Sequence, residues 1–224
     1  MLVALDPFEA VCREAHERGA QLIVTHHPLI FVPPHSVTDR DSIGRCILFL
    51  AQHGISAINA HTDLDCAVGG VNDVLAGRLG LNGVHVIGPP KKDAEDRICG
   101  LLRAGTVEET SVEAFAEHVK TVLSCPGLRY VDGGGSVRYV AVGGGACGSE
   151  LQDVVEAGCD TFVTADVKYN QFWDAKDQGI TLIDAGHFET ENPVCSALAA
   201  YLERCFPQLE VLISEKHGDP VKYL

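Results

Sequence analysis

Apolar and polar positions follow two rhythms along this chain. A short apolar run, Leu2 to Leu5, reads as a strand, and Phe8, Val11, Cys12 and Ala15 then fall at i, i+3, i+4 and i+7, one face of a helix. Asp6 is suited to cap that helix, Pro7 to open it and Glu9 to complete a capping box, and Gly19 stops it. The strand Gln21-Leu22-Ile23-Val24-Thr25 follows and runs into His26-His27-Pro28. The same grammar recurs downstream: strand 138–142, a capping box Ser149-x-x-Gln152, an apolar face of Leu151, Val154 and Val155, a stop at Gly158, and strand 161–164 ending in Ala165-Asp166. Aligned, Glu17-x-Gly19 with Val24-Thr25 matches Glu156-x-Gly158 with Val163-Thr164. The match runs on through helix 43–52, Gly54 and strand 55–60, answered by Gly179 and strand 180–185.

Each of these last strands leads into a loop bearing His and carboxylates and then a helix, 72–79 in one copy and 194–205 in the other. Strands alternating with helices predict an α/β fold, here two similar subdomains from an internal duplication, with mostly parallel sheets and flanking helices. Ile98 to Arg103 reads as a further strand and Ser111 to Leu123 as a helix, and Pro89-Pro90-Lys91-Lys92-Asp93 is the clearest linker. The expected halves are therefore 1–90 and 91–224.

Composition narrows the class. With 224 residues, 46% hydrophobic and 21% charged, the chain is no collagen, coiled coil or disordered polymer. No apolar run approaches the ~20 residues of a membrane span, and Met1 to Asp6 resembles no secretory signal. Seventeen basic against 31 acidic residues give a net charge of −14, with Lys91-Lys92 the best basic cluster, which argues against a nucleic-acid partner. Nine cysteines, an odd number without any C-x-x-C, fit a reduced cytoplasmic protein with free thiols.

Ligands of open α/β sheets bind at the carboxyl ends of the strands, and the ionisable residues collect there. His26 and His27 follow one strand; His61, Asp63 and Asp65 another; Asp166 and Lys168 a third; His187, Glu189 and Glu191 a fourth. Singly, each has an ordinary structural role open to it, such as helix capping for Asp65 and Glu191. Jointly, His26, His27, Asp65, His187 and Glu191 point to a metal centre. Five such side chains exceed what one four-coordinate zinc with an open position needs, and they suit two ions about 3.5–4 Å apart. Mixed imidazole and carboxylate ligation leaves Zn, Fe, Mn and Ni open, and the absence of Cys from this set argues against a zinc finger. A rival signal is Gly143-x-Gly145-x-x-Gly148 with Asp166 beyond it, formally a dinucleotide fingerprint. It reads better as a tight turn able to touch a phosphate, because the first copy has no glycine at Leu5-Asp6-Pro7.

Three motifs in order, Thr25-His26-His27-Pro28-Leu29-Ile30-Phe31, Ala60-His61-Thr62-Asp63-Leu64-Asp65 with Gly69-Gly70-Val71-Asn72-Asp73, and Ala185-Gly186-His187-x-x-Thr190-Glu191, resemble the NGG-interacting-factor-three-like family, also known as type 2 GTP cyclohydrolase I. The resemblance spans essentially the whole chain. It places the family's two metal ions on His26, His27, Asp65, His187 and Glu191. It also implies two interlocked halves, the first completed by the C-terminal segment, and a homohexameric ring with sites facing an internal cavity. The family carries a further strand–helix segment ahead of Val3-Ala4-Leu5-Asp6, and often has His where Asn170 stands here. The implied function is metal-dependent hydrolysis of a small molecule, a nucleotide such as GTP or a related heterocycle, by hydroxide attack at the purine C8 with loss of formate. His61 is then the candidate proton shuttle, and Lys168 and Asp166 are candidate substrate contacts. The alternative is a metal-binding scaffold or regulatory partner without catalysis.

Overall fold

A computed structural model describes every residue from Met1 to Leu224. In chain order the elements are β1 (Leu2–Ala4), α1 (Glu9–Glu17), β2 (Leu22–Thr25), α2 (Ser42–His53), β3 (Ser56–Asn59), α3 (Thr62–Cys66) and α4 (Val71–Arg78). Then come β4 (Asn82–Ile87), β5 (Lys91–Lys92), β6 (Ile98–Cys99), β7 (Leu102–Thr110), α5 (Val112–Leu123), β8 (Arg129–Val131) and β9 (Val137–Val142). The last stretch holds α6 (Leu151–Glu156), β10 (Thr161–Thr164), α7 (Tyr169–Asp177), β11 (Thr181–Asp184), α8 (His187–Glu191), α9 (Pro193–Cys205) and β12 (Leu212–Ile213). The chain forms two compact units, Met1–Leu64 with Cys195–Pro220, and Asp65–Val194 with Val221–Leu224. No helix is long and apolar enough to cross a membrane.

The first unit is built on a wholly parallel sheet of order β12-β1-β2-β3. Leu2, Ala4 and Ile23 from the strands pack with Val11, Cys12 and Ala15 of α1 and Cys46 and Leu50 of α2. β12 is tied in by pairing Leu2 with Leu212 and by Glu14, whose carboxylate accepts hydrogen bonds from the Ser214 hydroxyl and the Glu215 amide. Burial alone would raise the Glu14 pKa, but these bonds and Arg18 hold it below the usual carboxylate value.

The second unit has a six-stranded sheet of order β4-β7-β9-β10-β11-β8, parallel at its centre (β9-β10-β11) and antiparallel towards both edges. One face packs α4 and α5 through Leu75, Phe115 and Val119, and the other packs α6 and α7 through Leu151, Val154 and Ala175.

The repeat read from the sequence is written into the backbone. Gly19 and Gly158, with φ of +68° and +74°, stop α1 and α6, and Gly54 and Gly179, at +65° and +72°, stop α2 and α7. After each glycine the next amide reaches back to the preceding helix: Ala20 to Ala15, Cys159 to Val154, Ile55 to Leu50 and Ile180 to Ala175. The two capping boxes expected at Asp6–Glu9 and Ser149–Gln152 do not form. α1 starts at Glu9 behind Phe8 with no side-chain cap, and α6 is entered through a 3-10 turn at Gly148–Glu150. Asp6 is instead bonded to His27, and Glu9 to Arg13 and Arg45.

Candidate metal centre

In the first unit, β2 ends at Thr25, whose hydroxyl donates to the His27 carbonyl at 2.7 Å while the His27 amide donates to Leu5, closing a tight turn. That turn aims two imidazoles off the strand end beside a third from the loop after β3. The His26 and His27 rings lie 4.9 Å apart, with His61 at 5.3 Å and 5.6 Å from them. Ring nitrogens of all three fall within 4.8 Å of one another. His26 is buried, and its Nδ1 lies 2.9 Å from the Ala60 carbonyl, which can only accept, so Nδ1 carries the proton and Nε2 the lone pair. The Asp6 carboxylate does the same for His27 at 2.7 Å. A ligand imidazole whose other nitrogen is held by a carbonyl or carboxylate is the usual arrangement at protein metal sites.

In the second unit, β11 ends at Asp184 and Gly186, at φ +89°, turns the chain into α8. One helical turn separates His187 from Glu191, which places both on one face with His187 Nε2 3.0 Å from Glu191 Oε2. Asp65, buried in α3, brings a carboxylate oxygen within 4.8 Å of one from Glu191. His187 Nδ1 is bonded to Asp166 at 2.8 Å. The hydrogen bond to Glu191 raises the His187 pKa, against the opposing effect of burial and with further help from Asp166, to about 9.

The glycine run serves this cluster. A Cβ on Gly145 would meet Glu191 Oε1 at 2.1 Å, and one on Gly144 would meet Val71 at 2.9 Å, so side chains here would fill the space the carboxylate occupies. The amides of Gly144 and Gly145 donate to Asn72 Oδ1 and Thr190 Oγ1, so they are engaged within the protein and do not form a phosphate cradle. Asn72 is wholly buried and also donates to the carbonyls of Asp65 and Leu101, fixing three segments at once. Buried Arg103, paired with Asp73, donates to the carbonyls of Cys66 and Ala67 and so anchors the end of α3. Sequence reasoning did not single out Asn72, Thr190, Arg103 or the orienting role of Asp6. Asn72 and Thr190 fall within the quoted motifs, Arg103 only ends the strand read at 98–103, and Asp6 is read there as a helix cap.

Of the other ionisable residues, Asp63 is exposed on α3, and Glu189 folds back over Gly186, where a Cβ would meet its Oε2 at 2.2 Å. Lys168 is exposed at the start of α7, with its amide bonded to Gln171. All nine cysteines are free thiols. The donor set therefore fits divalent cations: imidazoles with fixed tautomers in one unit, and an imidazole with two buried carboxylates, set against a cradle only glycine permits, in the other.

A family model described as Duf34/NIF3 (NGG1p interacting factor 3) matches residues 1–220. A relative from Clostridium perfringens, named GTP cyclohydrolase 1 type 2 homolog, is 32% identical over 100% of this chain and 86% of its own length. One of the same name from Streptomyces coelicolor is 36% identical over 97% of this chain and 75% of its own length. The crystal structure of Staphylococcus aureus protein SA1388 superposes with a TM-score of 0.90 at 29% identity, covering 100% of this chain and 87% of that one.

Proposed function

Because the chain belongs to the Duf34/NIF3 family, we propose that it is a metal-dependent hydrolase of a nucleotide or related heterocycle, with His26, His27, Asp65, His187 and Glu191 as ligands of two divalent ions. The observation that carries the reading is the orientation of the imidazoles: His26, His27 and His187 each have Nδ1 bonded to an acceptor, and in His187 that turns Nε2 toward the Glu191 carboxylate, the other ligand of the same helix. When bound, two such ions supply a hydroxide nucleophile near neutral pH and polarise a substrate oxygen or ring nitrogen.

The protein's own part is to hold and order. Asp6 and Ala60 fix the ring tautomers of His27 and His26, and Asn72 and Thr190 lock the glycine loop beside Glu191. His61, half-buried beside His26 and His27, carries a proton between substrate and solvent on its imidazole. Lys168 binds a substrate anion. The relatives' name makes GTP the first substrate to try. The reading includes a homohexamer, in whose contacts the exposed apolar Phe8, Ile30, Phe31 and Val32 of the first unit would be covered.

The test is metal analysis followed by a turnover screen. Purified protein is expected to carry close to two transition-metal ions per chain, with at least one lost in His26→Ala or Glu191→Ala. GTP, other nucleotides and phosphoesters are then screened with Zn, Fe, Mn and Ni, and Asp65→Ala is expected to abolish turnover. Protein that takes up no metal after growth with Fe, Zn and Mn refutes the reading, as does turnover unchanged in Asp65→Ala.

A further inference from the structure

Only three residues other than glycine have a left-handed backbone: Asp96, Ser124 and Asp166, at φ +62°, +58° and +51°. Two of them have a local reason. Ser124 ends α5, where its amide and that of Cys125 return to the helix carbonyls, and Asp96 closes the tight loop between β5 and β6 with its amide on Asp93. Asp166 ends no helix and closes no hairpin. It sits two residues past β10, at a conformation glycine would adopt without cost, and strain of this kind persists only where the surroundings impose it.

The surroundings do impose it. Asp184, at the end of β11, accepts from the Val167 amide at 3.1 Å with one carboxylate oxygen and from the Gly186 amide at 3.3 Å with the other. Arg129 pairs with the same carboxylate. One buried acid thus clamps both the loop that carries Asp166 and the turn that carries His187. On the other side the Ala165 amide is bonded to Gly145 at 2.9 Å. Held so, the Asp166 carboxylate reaches His187 Nδ1 at 2.8 Å. The Asp166 side chain is 56% exposed and that of His187 37%, and an ion pair so open to water adds little to stability. Fold stability therefore does not account for the strained residue.

We infer that Asp166 is a positioning residue: its left-handed backbone delivers the carboxylate to His187 Nδ1, which keeps a proton there and turns Nε2 toward Glu191, so that a bound ion would replace the Nε2 proton and not the Nδ1 one. The inference rests on the reading of His187 and Glu191 as metal ligands, and it makes Asp166 a partner of a ligand instead of a substrate contact.

Three variants of the full chain separate positioning from folding. Asp166→Gly removes the carboxylate and relieves the backbone, Asp166→Ala removes the carboxylate and keeps the strain, and Asp166→Asn keeps an acceptor. Without metal, the Gly variant is expected to melt about 2–8 °C above the Ala variant. In Co(II) titrations both are expected to bind one of the two ions about 10- to 100-fold more weakly than wild type, by the same factor, with an altered cobalt absorption band. The Asn variant falls between them and wild type. If cobalt affinity follows Tm, with Gly restoring what Ala loses, the role is structural and the inference is overturned. If wild type binds two cobalt ions and all three variants match it, only the positioning role falls. If wild type binds none, the metal reading falls and takes this inference with it.

Discussion

Gly145→Ala puts the candidate centre to its sharpest test, because one added methyl has two separable effects. The backbone at Gly145 has φ +63°, so an alanine costs about 1–2 kcal/mol in conformation, which lowers Tm by about 2–8 °C in a chain of this size. The Cβ would also lie 2.1 Å from Glu191 Oε1 and 3.0 Å from its Cδ, where ordinary contact begins at 3.4 Å. The carboxylate must retreat by more than about 1 Å, whereas metal–ligand distances hold to within ~0.2 Å. Losing a ligand is expected to weaken ion binding by more than the ~10- to 100-fold typical of outer partners. Gly158→Ala is the matched control, since its φ is +74° and a Cβ there meets nothing within 4 Å. It should lose similar stability and keep both ions. Binding is read by cobalt titration and elemental analysis, stability by thermal melting. A Gly145→Ala protein that binds two ions with wild-type affinity would refute the placement of Glu191 in the centre.

Three further outcomes follow from the same contacts. Asn72→Ala leaves the buried Gly144 amide without its bond, at about 1–3 kcal/mol, and removes a further bond to the half-buried Leu101 carbonyl, so a denaturant midpoint within error of wild type would contradict its role as a hub. Because the Glu14 pKa is lowered by folding, its contribution is present above the unfolded value near 4.5 and is lost as pH falls through the lower folded value. Urea titrations of Glu14→Gln should thus show a shallower loss of stability below pH 4.5, and protease should cut its residues 214–220 faster. In metal-free protein the His187 pKa is raised from 6.5 to about 9, so its stabilisation is complete below pH 6.5 and disappears as pH rises through about 9. Wild type and His187→Gln, measured in chelator, should differ at pH 6 and converge by pH 10; a constant difference would contradict the assigned shift.

What the sequence reveals and what it hides have a common physical source. β2, β10 and the glycine stops are legible because burial and backbone handedness act residue by residue: a buried parallel strand demands β-branched runs, and a helix end demands a residue tolerant of positive φ. The same locality exposes His26, His27, His187 and Glu191 as polar residues just past such strands. Tyr169–Asp177 is not legible as a helix because it buries only Ala175 within a largely polar stretch, and β4 is missed because it is mostly exposed. Asp6 shows how a local rule fails. Its position satisfies a capping pattern, yet the carboxylate is drawn to an imidazole that arrives from β2, a partner no window around residue 6 contains. Asn72 and Arg103 belong to the same class, since their bonds reach carbonyls and amides up to 72 residues away.

The pairing of Leu2 with Leu212 bears on how the polypeptide comes off the ribosome. The first sheet awaits its fourth strand, and Glu14 its partner Ser214, until 200 residues beyond Glu14 have been made. Residues 65–194, most of the second unit, are by then already synthesised, and at about 5–20 residues per second they precede β12 by about 1–4 s. The intervening segment thus matures before the sheet that flanks it in sequence is complete. During that interval the edge of β1 stands open, which makes nascent Met1–Leu64 the segment most in need of chaperone cover.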